Sequence, residues 1–231
     1  HPFIGSPMQA EGYNQRLLLD QRYSAVTAAC MMVRKSVYLE VGGMDEQAFA
    51  VSYNDVDLCL KIGSAGHAVV WTPHALVMHV GSVSQKAEDP GKDAAKRERF
   101  NKEKAAMYER WLPQLTRDPA YNPGLSLNGK GFELEANPLF QRNPGSPKLY
   151  ALCGDQQGSG FYRIIAPCDQ LVSAGLATGA SSRIYLPPPC VAKATPDVMI
   201  FQRQITDEQI NSMQQYRKLI PAKMIFELDD Y

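Results

Sequence analysis

Apolar residues near the start of the chain predict one buried strand followed by a short helix. The segment Ser24–Val33 is apolar and rich in small residues, which favours a central strand. Residues 34–43 predict a short helix with Ser36 near its first turn. This helix is expected to end at Gly42 and Gly43, because glycine readily takes up the left-handed conformation that terminates many helices.

The stretch Val51–Ile62 predicts a second helix with polar residues at its start. The apolar positions at i, i+3, i+4 and i+7 of one face are Val56, Cys59, Leu60 and Gly63. Asp57 and Lys61 lie four residues apart on another face, where we expect a solvated ion pair. Gly63 and Gly66 are expected to close the helix.

Two short strands and a long helix are predicted next. Residues 67–81 are apolar and interrupted at Pro73, which indicates two short strands, because proline lacks the N–H that a strand interior needs. Residues 85–110 are dense in charges of both signs. The apolar residues that recur there at helical spacing are Phe100, Met107, Trp111 and Leu115. This pattern favours an amphipathic helix over a basic tail.

From residue 148 onward, apolar runs alternate with amphipathic ones. The predicted strands are 148–154, 196–204 and 222–230. A glycine loop with a helix at 155–175 and a second helix at 206–220 separate them. The alternation predicts a partial Rossmann-like βαβαβ unit with a parallel sheet, so the fold class is α/β.

Changes of composition divide the chain into three parts. Residues 1–118 form a first domain with a C-terminal helix. Residues 119–147 are rich in proline, glycine and asparagine and predict an extended linker. Residues 148–231 form the beginning of a second domain. No methionine opens the chain, and three strands make a small sheet, so we expect a piece of a longer protein.

The overall composition disfavours several classes of function. The chain has 231 residues with 24 basic and 24 acidic side chains, so bulk charge gives no support for a nucleic-acid partner. The longest apolar run, Ala25–Val33, is shorter than the roughly 18 residues of a membrane helix. Five cysteines without a CxxC pair predict free thiols and a cytoplasmic location. Peripheral contact with a membrane and any oligomeric state are compatible with this composition.

Five short motifs follow one another in the segment from Val26 to Ser84. They are the apolar segment before Arg34, "GGMDE", "NDVDLCLKI", "AGHAVV" and "HVGSVS". In this order they resemble the acceptor-side half of an inverting family 2 glycosyltransferase of the GT-A fold. The resemblance implies transfer of a sugar from a nucleotide-sugar donor to a saccharide acceptor.

The resemblance implies that Asp55 is the catalytic base. In an inverting transfer, a carboxylate removes the proton of the acceptor hydroxyl while that oxygen attacks the anomeric carbon. At a helix N-terminus the helix dipole would stabilise the charge of Asp55 by about 0.3–1 kcal/mol. The alternative is that Asn54 or Asp55 only caps the helix. Asn54 stands where the family usually has an acidic residue.

The resemblance also implies a divalent metal, Mg²⁺ or Mn²⁺, bound in part by His79. Such a metal would stabilise the departing diphosphate of the donor. The other ligands of the family lie upstream of its catalytic helix and have no counterpart before Asp55. Asp55 and Asp57 are not that site, because side chains two residues apart leave a helix about 200° apart.

The turn that contains Gly43 and Asp45 matches the part of the family that borders the acceptor pocket. We therefore expect both residues to contribute to acceptor binding. The alternative is a helix C-cap followed by an exposed aspartate.

The second half resembles the opening of a family 4-like glycosyltransferase of the GT-B fold. The motifs that carry this resemblance are "CGDQQGSGFYR", "VMIFQRQ" and "IFELDD". Its candidate functional residues are Arg163, Arg203, Asp229 and Asp230, for which ordinary surface or strand-end roles remain the alternative.

The chain is therefore expected to join parts of two glycosyltransferase modules that act in surface polysaccharide synthesis. We expect it to be inactive by itself, because both nucleotide-binding halves would lie outside it. A non-catalytic glycan-binding or scaffold module derived from such an enzyme is one alternative, favoured by Asn54. A Rossmann-type oxidoreductase is the other, and only the 148–231 pattern suggests it.

Overall fold

The chain folds into two compact units. The computed structural model describes residues 7, 9–77, 90–129, 131–141 and 143–228. The first unit comprises His1–Trp111 with Asp118–Asn122, and the second comprises Leu112–Arg117 with Pro123–Tyr231.

The regular structure described in the first unit is mainly helical. Its regular elements are β1 (Gln21–Arg22), α1 (Lys35–Glu40), α2 (Asn54–Ser64), β2 (Val70–Trp71) and the part of α3 (Pro90–Thr116) up to Trp111. The two short strands pair antiparallel. The buried apolar side chains include Phe49, Leu58, Cys59, Ile62, Met107 and Trp111.

The strand predicted at Ser24–Val33 is wrong. Residues Ala28–Cys30 form a 3-10 turn, and Met32 is 99% exposed. A strand needs neighbouring backbone groups to pair with its own. Here the Ala29 N–H donates to the Thr27 side chain, and the Ala28 N–H donates to a carboxylate of α2. These side-chain acceptors replace the strand partner that the apolar composition suggested.

The two predicted short helices are confirmed as α1 and α2. After α1, Gly42 and Gly43 have φ of +79° and +64°, which are values that favour glycine. After α2, Gly66 has φ of +85°, and its N–H donates to the Gly63 carbonyl.

The predicted faces of α2 need one correction. Asp57 does pair with Lys61, at 3.0 Å, but its side chain is fully buried rather than solvated. Leu58 and Ile62 are also buried, whereas Gly63 is exposed. The reason is that side chains from α3, which lies far away in the sequence, cover Asp57.

The long amphipathic helix is confirmed as α3. Its backbone is kinked at Trp111, which has φ of −123°, and Pro113 follows within the helix. Proline removes one backbone hydrogen bond, so a kink here has a clear local cause. Of the two short strands predicted around Pro73, the first is β2, and the second lies mostly outside the described residues.

The second unit is an α/β fold with a four-stranded parallel sheet. Its strands are β3 (Lys148–Leu152), β4 (Thr178–Ser182), β5 (Val198–Gln202) and β6 (Lys223–Glu227). Their order in the sheet is β4-β3-β5-β6. The three predicted strands are confirmed as β3, β5 and β6, and β4 is an additional strand.

Helices connect these strands. The chain leaves β3 through one α-helical turn, α4 (Gly158–Gly160), a π-helical turn over Phe161–Ile165 and then α5 (Ala166–Ser173). The remaining helices are α6 (Pro188–Ala194) and α7 (Asp207–Leu219). The predicted helix at 206–220 is thus confirmed. It begins with a capping box in which Thr206 and Gln209 bind each other's backbone N–H.

The sheet has a hydrophobic core on each face, because successive side chains of a strand point to opposite sides. From β3, Tyr150 and Leu152 pack with side chains of α6 and α7, whereas Leu149 and Ala151 pack with side chains of the π-helical turn and α5. Leu139, which belongs to the segment before β3, joins the first of these cores and is 1% exposed.

Candidate functional site

Asp55 lies in the first turn of α2 and is held by two backbone N–H groups. Its Oδ1 accepts a hydrogen bond from the Val56 N–H at 2.8 Å, and its Oδ2 accepts one from the Ala28 N–H at 3.1 Å. Asn54 Oδ1 accepts the N–H of Asp55 at 2.8 Å. Both side chains therefore bind N–H groups that the first turn of a helix leaves without intrahelical partners.

A left-handed residue precedes the helix. Tyr53 has φ of +66°, an uncommon value for a residue other than glycine, and its carbonyl accepts the first helical hydrogen bond from Asp57. The Tyr53 and Phe100 rings lie 5.7 Å apart. Burial, and secondarily the charge of Glu103, raise the pKa of Tyr53. The phenol is therefore neutral at physiological pH.

The turn after α1 is fixed by its own side chains. Gly43 is buried, and a Cβ at this position would lie 2.8 Å from the Tyr38 ring. Asp45 Oδ1 accepts hydrogen bonds from the Ala48 and Gln47 N–H groups at 2.9 and 3.1 Å. Asp45 Oδ2 accepts one from Arg110 at 2.8 Å. The shape of the turn thus depends on glycine at one end and on a carboxylate at the other.

A buried carboxylate connects this turn with both helices. Asp57 Oδ1 accepts hydrogen bonds from Arg110 and from the indole of Trp111, each at 2.9 Å. Lys61, which pairs with Asp57, also donates to the Gly43 carbonyl at 2.5 Å. A buried carboxylate is stabilised only when such partners replace its water shell.

The charges of Asp45 and Arg110 are fixed near neutral pH. Hydrogen bonding by the Ala48 N–H, and next by Arg110, lowers the pKa of the Asp45 carboxyl. Conversely, the hydrogen bond to Asp45 and the contacts with Asp57 raise the pKa of Arg110. The carboxylate and the guanidinium therefore remain an ion pair over the physiological range.

The structure brings part of the predicted site together. Gly43 and Asp45 are joined through Lys61 and Arg110 to the helix whose first turn carries Asp55. His79 lies outside the described residues. Within the described ranges, no group of three or more histidine, cysteine, aspartate or glutamate side chains could hold a metal ion.

In the second unit, two predicted arginines lie beside the carboxyl ends of parallel strands, where α/β folds commonly bind ligands. Arg163 pairs with Glu227, and Arg203 pairs with Asp155. Arg203 has φ of +49°, an uncommon conformation for this residue type. Asp229 and Asp230 are outside the described residues.

Three residues of α3 bind either the network around Asp57 or the loop before α2, although the sequence predicts for them only a place in an amphipathic helix. They are Glu103, Arg110 and Trp111. Glu103 is 3% exposed and accepts two backbone hydrogen bonds from the loop before α2. The sequence gives only a weak signal for such a role, because a buried glutamate and a solvated glutamate look the same in the pattern of an amphipathic helix.

Comparisons with known proteins found three informative relatives. The chain is 42% identical over 136 residues to the uncharacterized protein y4gI of Sinorhizobium fredii, which covers 59% of this chain and 15% of the relative. It is 34% identical over 118 residues to the O-antigen biosynthesis protein RfbC of Myxococcus xanthus, and this match covers 51% of the chain and 9% of the relative. It is 39% identical over 70 residues to an N-acetylglucosaminyl-diphospho-decaprenol L-rhamnosyltransferase of Mycobacterium tuberculosis. This match covers 30% of the chain and 21% of the relative.

The chain thus spans about a fifth or less of the length of these curated relatives. The names of the second and third suggest a glycosyltransferase family. No family model and no solved structure matches the chain. In the described part of the chain, none of the helices combines the length and apolar character that a membrane crossing requires.

Proposed function

We propose that the protein is an inverting glycosyltransferase of surface polysaccharide synthesis, which moves a sugar from a nucleotide-sugar donor to a saccharide acceptor. The observation that carries this proposal is the Asp55 carboxylate, anchored at the first turn of α2 by the Val56 and Ala28 N–H groups. The similarity to an O-antigen biosynthesis protein and to a rhamnosyltransferase supports the substrate class.

Asp55 would act as the general base. Each carboxylate oxygen has about two lone pairs, and the backbone bonds described above occupy one on each oxygen. A lone pair therefore remains to accept the proton of the acceptor hydroxyl, while the two N–H donors hold the carboxylate plane. Capping and catalysis are compatible roles for this residue.

Gly43 and Asp45 would border the acceptor. Both oxygens of Asp45 already bind groups of the protein, namely two N–H groups of its own loop and Arg110. We propose that Asp45 shapes the turn and that the turn contacts the saccharide.

A divalent cation, Mg²⁺ or Mn²⁺, would stabilise the diphosphate leaving group, with His79 as one ligand. Among the described residues, no group of three or more histidine, cysteine, aspartate or glutamate side chains could complete this site.

In architecture, we propose that residues 1–118 are the acceptor-side half of a GT-A domain, 119–147 a linker and 148–231 the start of a GT-B-like domain. The parallel sheet of the second unit is compatible with this assignment. A cytoplasmic location, where nucleotide-sugars are made, fits the four buried free cysteines.

The test is sugar transfer by the full-length protein from a panel of nucleotide-sugars to saccharide acceptors, with the anomeric configuration of the product determined. Asp55→Asn should lower kcat by about 100-fold or more, as expected for loss of a general base. Asp20→Asn, at an exposed position, is the control. Unchanged turnover of Asp55→Asn would refute the base assignment. Saccharide binding without any transfer would instead indicate a glycan-binding module.

A further inference from the structure

A buried carboxylate of α3 binds the loop that leads into the candidate base. Glu103 Oε1 accepts a hydrogen bond from the Val51 N–H at 3.2 Å, and its Oε2 accepts one from the Ser52 N–H at 2.7 Å. Glu103 is 3% exposed, so these bonds form in a water-poor environment, where they are strong. One carboxylate thus fixes two consecutive peptide groups.

These two peptide groups directly precede the left-handed residue before α2. Tyr53 has φ of +66°, a conformation that persists only where surrounding contacts enforce it. The bonds of Glu103 to Val51 and Ser52 on one side, and the start of the helix on the other, enforce it here. The direction in which the first turn of α2 presents Asp55 therefore depends on Glu103.

The same helix holds the other end of the loop. Arg110 follows Glu103 by about two helical turns, so both side chains leave the same face of α3. Arg110 bonds to Asp45 at 2.8 Å and to Asp57 at 2.9 Å. The loop between α1 and α2 is thus anchored to α3 near both of its ends.

We propose that Glu103 is a positioning residue for Asp55, and that α3 fixes the distance and orientation between the catalytic base and the bound acceptor. This inference rests on the proposed function, because it assigns to Glu103 a role in the chemistry of Asp55. Glu103 itself does not touch the substrate. Its effect should therefore appear in the chemical step and leave donor binding nearly unchanged.

The test compares Glu103→Gln with Glu98→Gln in the full-length protein. Both substitutions remove one negative charge from α3, but position 98 is exposed. The glutamine has one oxygen in place of two, so one of the two N–H groups loses its acceptor. We expect kcat to fall about 10- to 100-fold in Glu103→Gln, the size of effect that a misplaced catalytic group produces. The KM for the donor should change by no more than about twofold.

Two further variants and one hydrogen-exchange measurement keep the outcomes separate. If Asp55→Asn lowers kcat while Glu103→Gln retains the wild-type kcat, the inference fails and the proposed function stands. If Asp55→Asn has no effect on sugar transfer, the base assignment fails and the role of Glu103 fails with it, whereas the absence of any transfer by the wild type refutes the proposed function. If Glu103→Gln does not fold, Glu103→Asp serves instead, because it keeps the charge and shortens the reach. Unprotected Val51 and Ser52 amide hydrogens in the folded wild type would also overturn the inference.

Discussion

The indole N–H of Trp111 donates a hydrogen bond of 2.9 Å to Oδ1 of Asp57, and Asp57 is fully buried. This bond links the end of the α3 segment that belongs to the first unit with the first turn of α2. The same oxygen accepts a bond from Arg110, which in turn reaches Asp45. Asp57, which the sequence places on a solvated face, is therefore the centre of a packed polar network.

Replacement of Asp57 should destabilise the first unit. Asp57→Ala leaves the Trp111 N–H, Arg110 and Lys61 without their shared acceptor, which we expect to cost about 3 kcal/mol in the free energy of unfolding. This value is at the low end for a buried ion pair, because Arg110 is 38% exposed and can regain water. Urea unfolding measures the change, with Glu46→Gln at an exposed position as control. A loss no larger than that of the control would contradict the role assigned to Asp57.

Two glycine-to-alanine substitutions should have opposite signs. Gly179 in β4 has φ of +115°, and a Cβ there would lie 1.9 Å from the Leu149 carbonyl oxygen. Gly179→Ala should therefore destabilise the second unit by about 1–3 kcal/mol.

Gly63 in α2 has a helical backbone, and a methyl group added there would have no atom within 4 Å. Gly63→Ala should stabilise the first unit by about 0.5 kcal/mol. Chemical denaturation decides both signs.

Thiol reactivity should separate Cys30 from the other cysteines. Cys30 is exposed, whereas Cys59, Cys153, Cys168 and Cys190 are buried. Burial raises the pKa of the Cys190 thiol to about 11, with a further contribution from the charge of Glu135. Because the thiolate is the reactive form, iodoacetamide at about pH 8 should label Cys30 first. Mass spectrometry of the native protein measures the order of labelling, and equal rates at Cys30 and Cys190 would contradict the burial of Cys190.

The Asp45 carboxyl should make stability depend on pH in the acid range. Its pKa in the folded protein lies below the ordinary value of 3.8, because the Ala48 N–H and Arg110 stabilise the carboxylate. The resulting stabilisation is present above that ordinary value and is lost as the pH falls through the lower, folded-state pKa. Asp45→Asn should therefore show a shallower loss of stability than the wild type below about pH 4. Parallel curves of unfolding free energy against pH would contradict this contribution.

The second unit could largely be predicted from its sequence because its strands are marked by local patterns. β3 and β5 are largely apolar runs between turns, as buried parallel strands require, and β6 is an apolar run at the edge of the described sheet, where Ile225 and Phe226 stay partly exposed. β4 has the sequence TGASS, which has no apolar pattern, and it was missed. Its place in the sheet depends on the close approach of Gly179 to Leu149, a contact that no local window of sequence contains.

The candidate site was less predictable because its partners are distant in the sequence. The helix start at Asn54 follows from local composition, and so does the turn at Gly43. The burial of Asp57 does not, because it depends on Arg110 and Trp111, which lie 53 and 54 residues further along the chain. A polar residue is predicted to be solvated unless its partner is known.

The position of β3 within the sheet has a consequence for the order in which the second unit can assemble. β3 pairs with β4 and with β5, in the registers Lys148↔Thr178 and Leu149↔Val198. Both partners come later in the chain. During synthesis β3, an interior strand of the sheet, therefore emerges before either strand with which it pairs. Such long-range pairing makes folding slow relative to a helical bundle of similar size. Until Gln202 has left the ribosome, this apolar strand lacks at least one of its two neighbours, and such exposed strands are segments that chaperones protect.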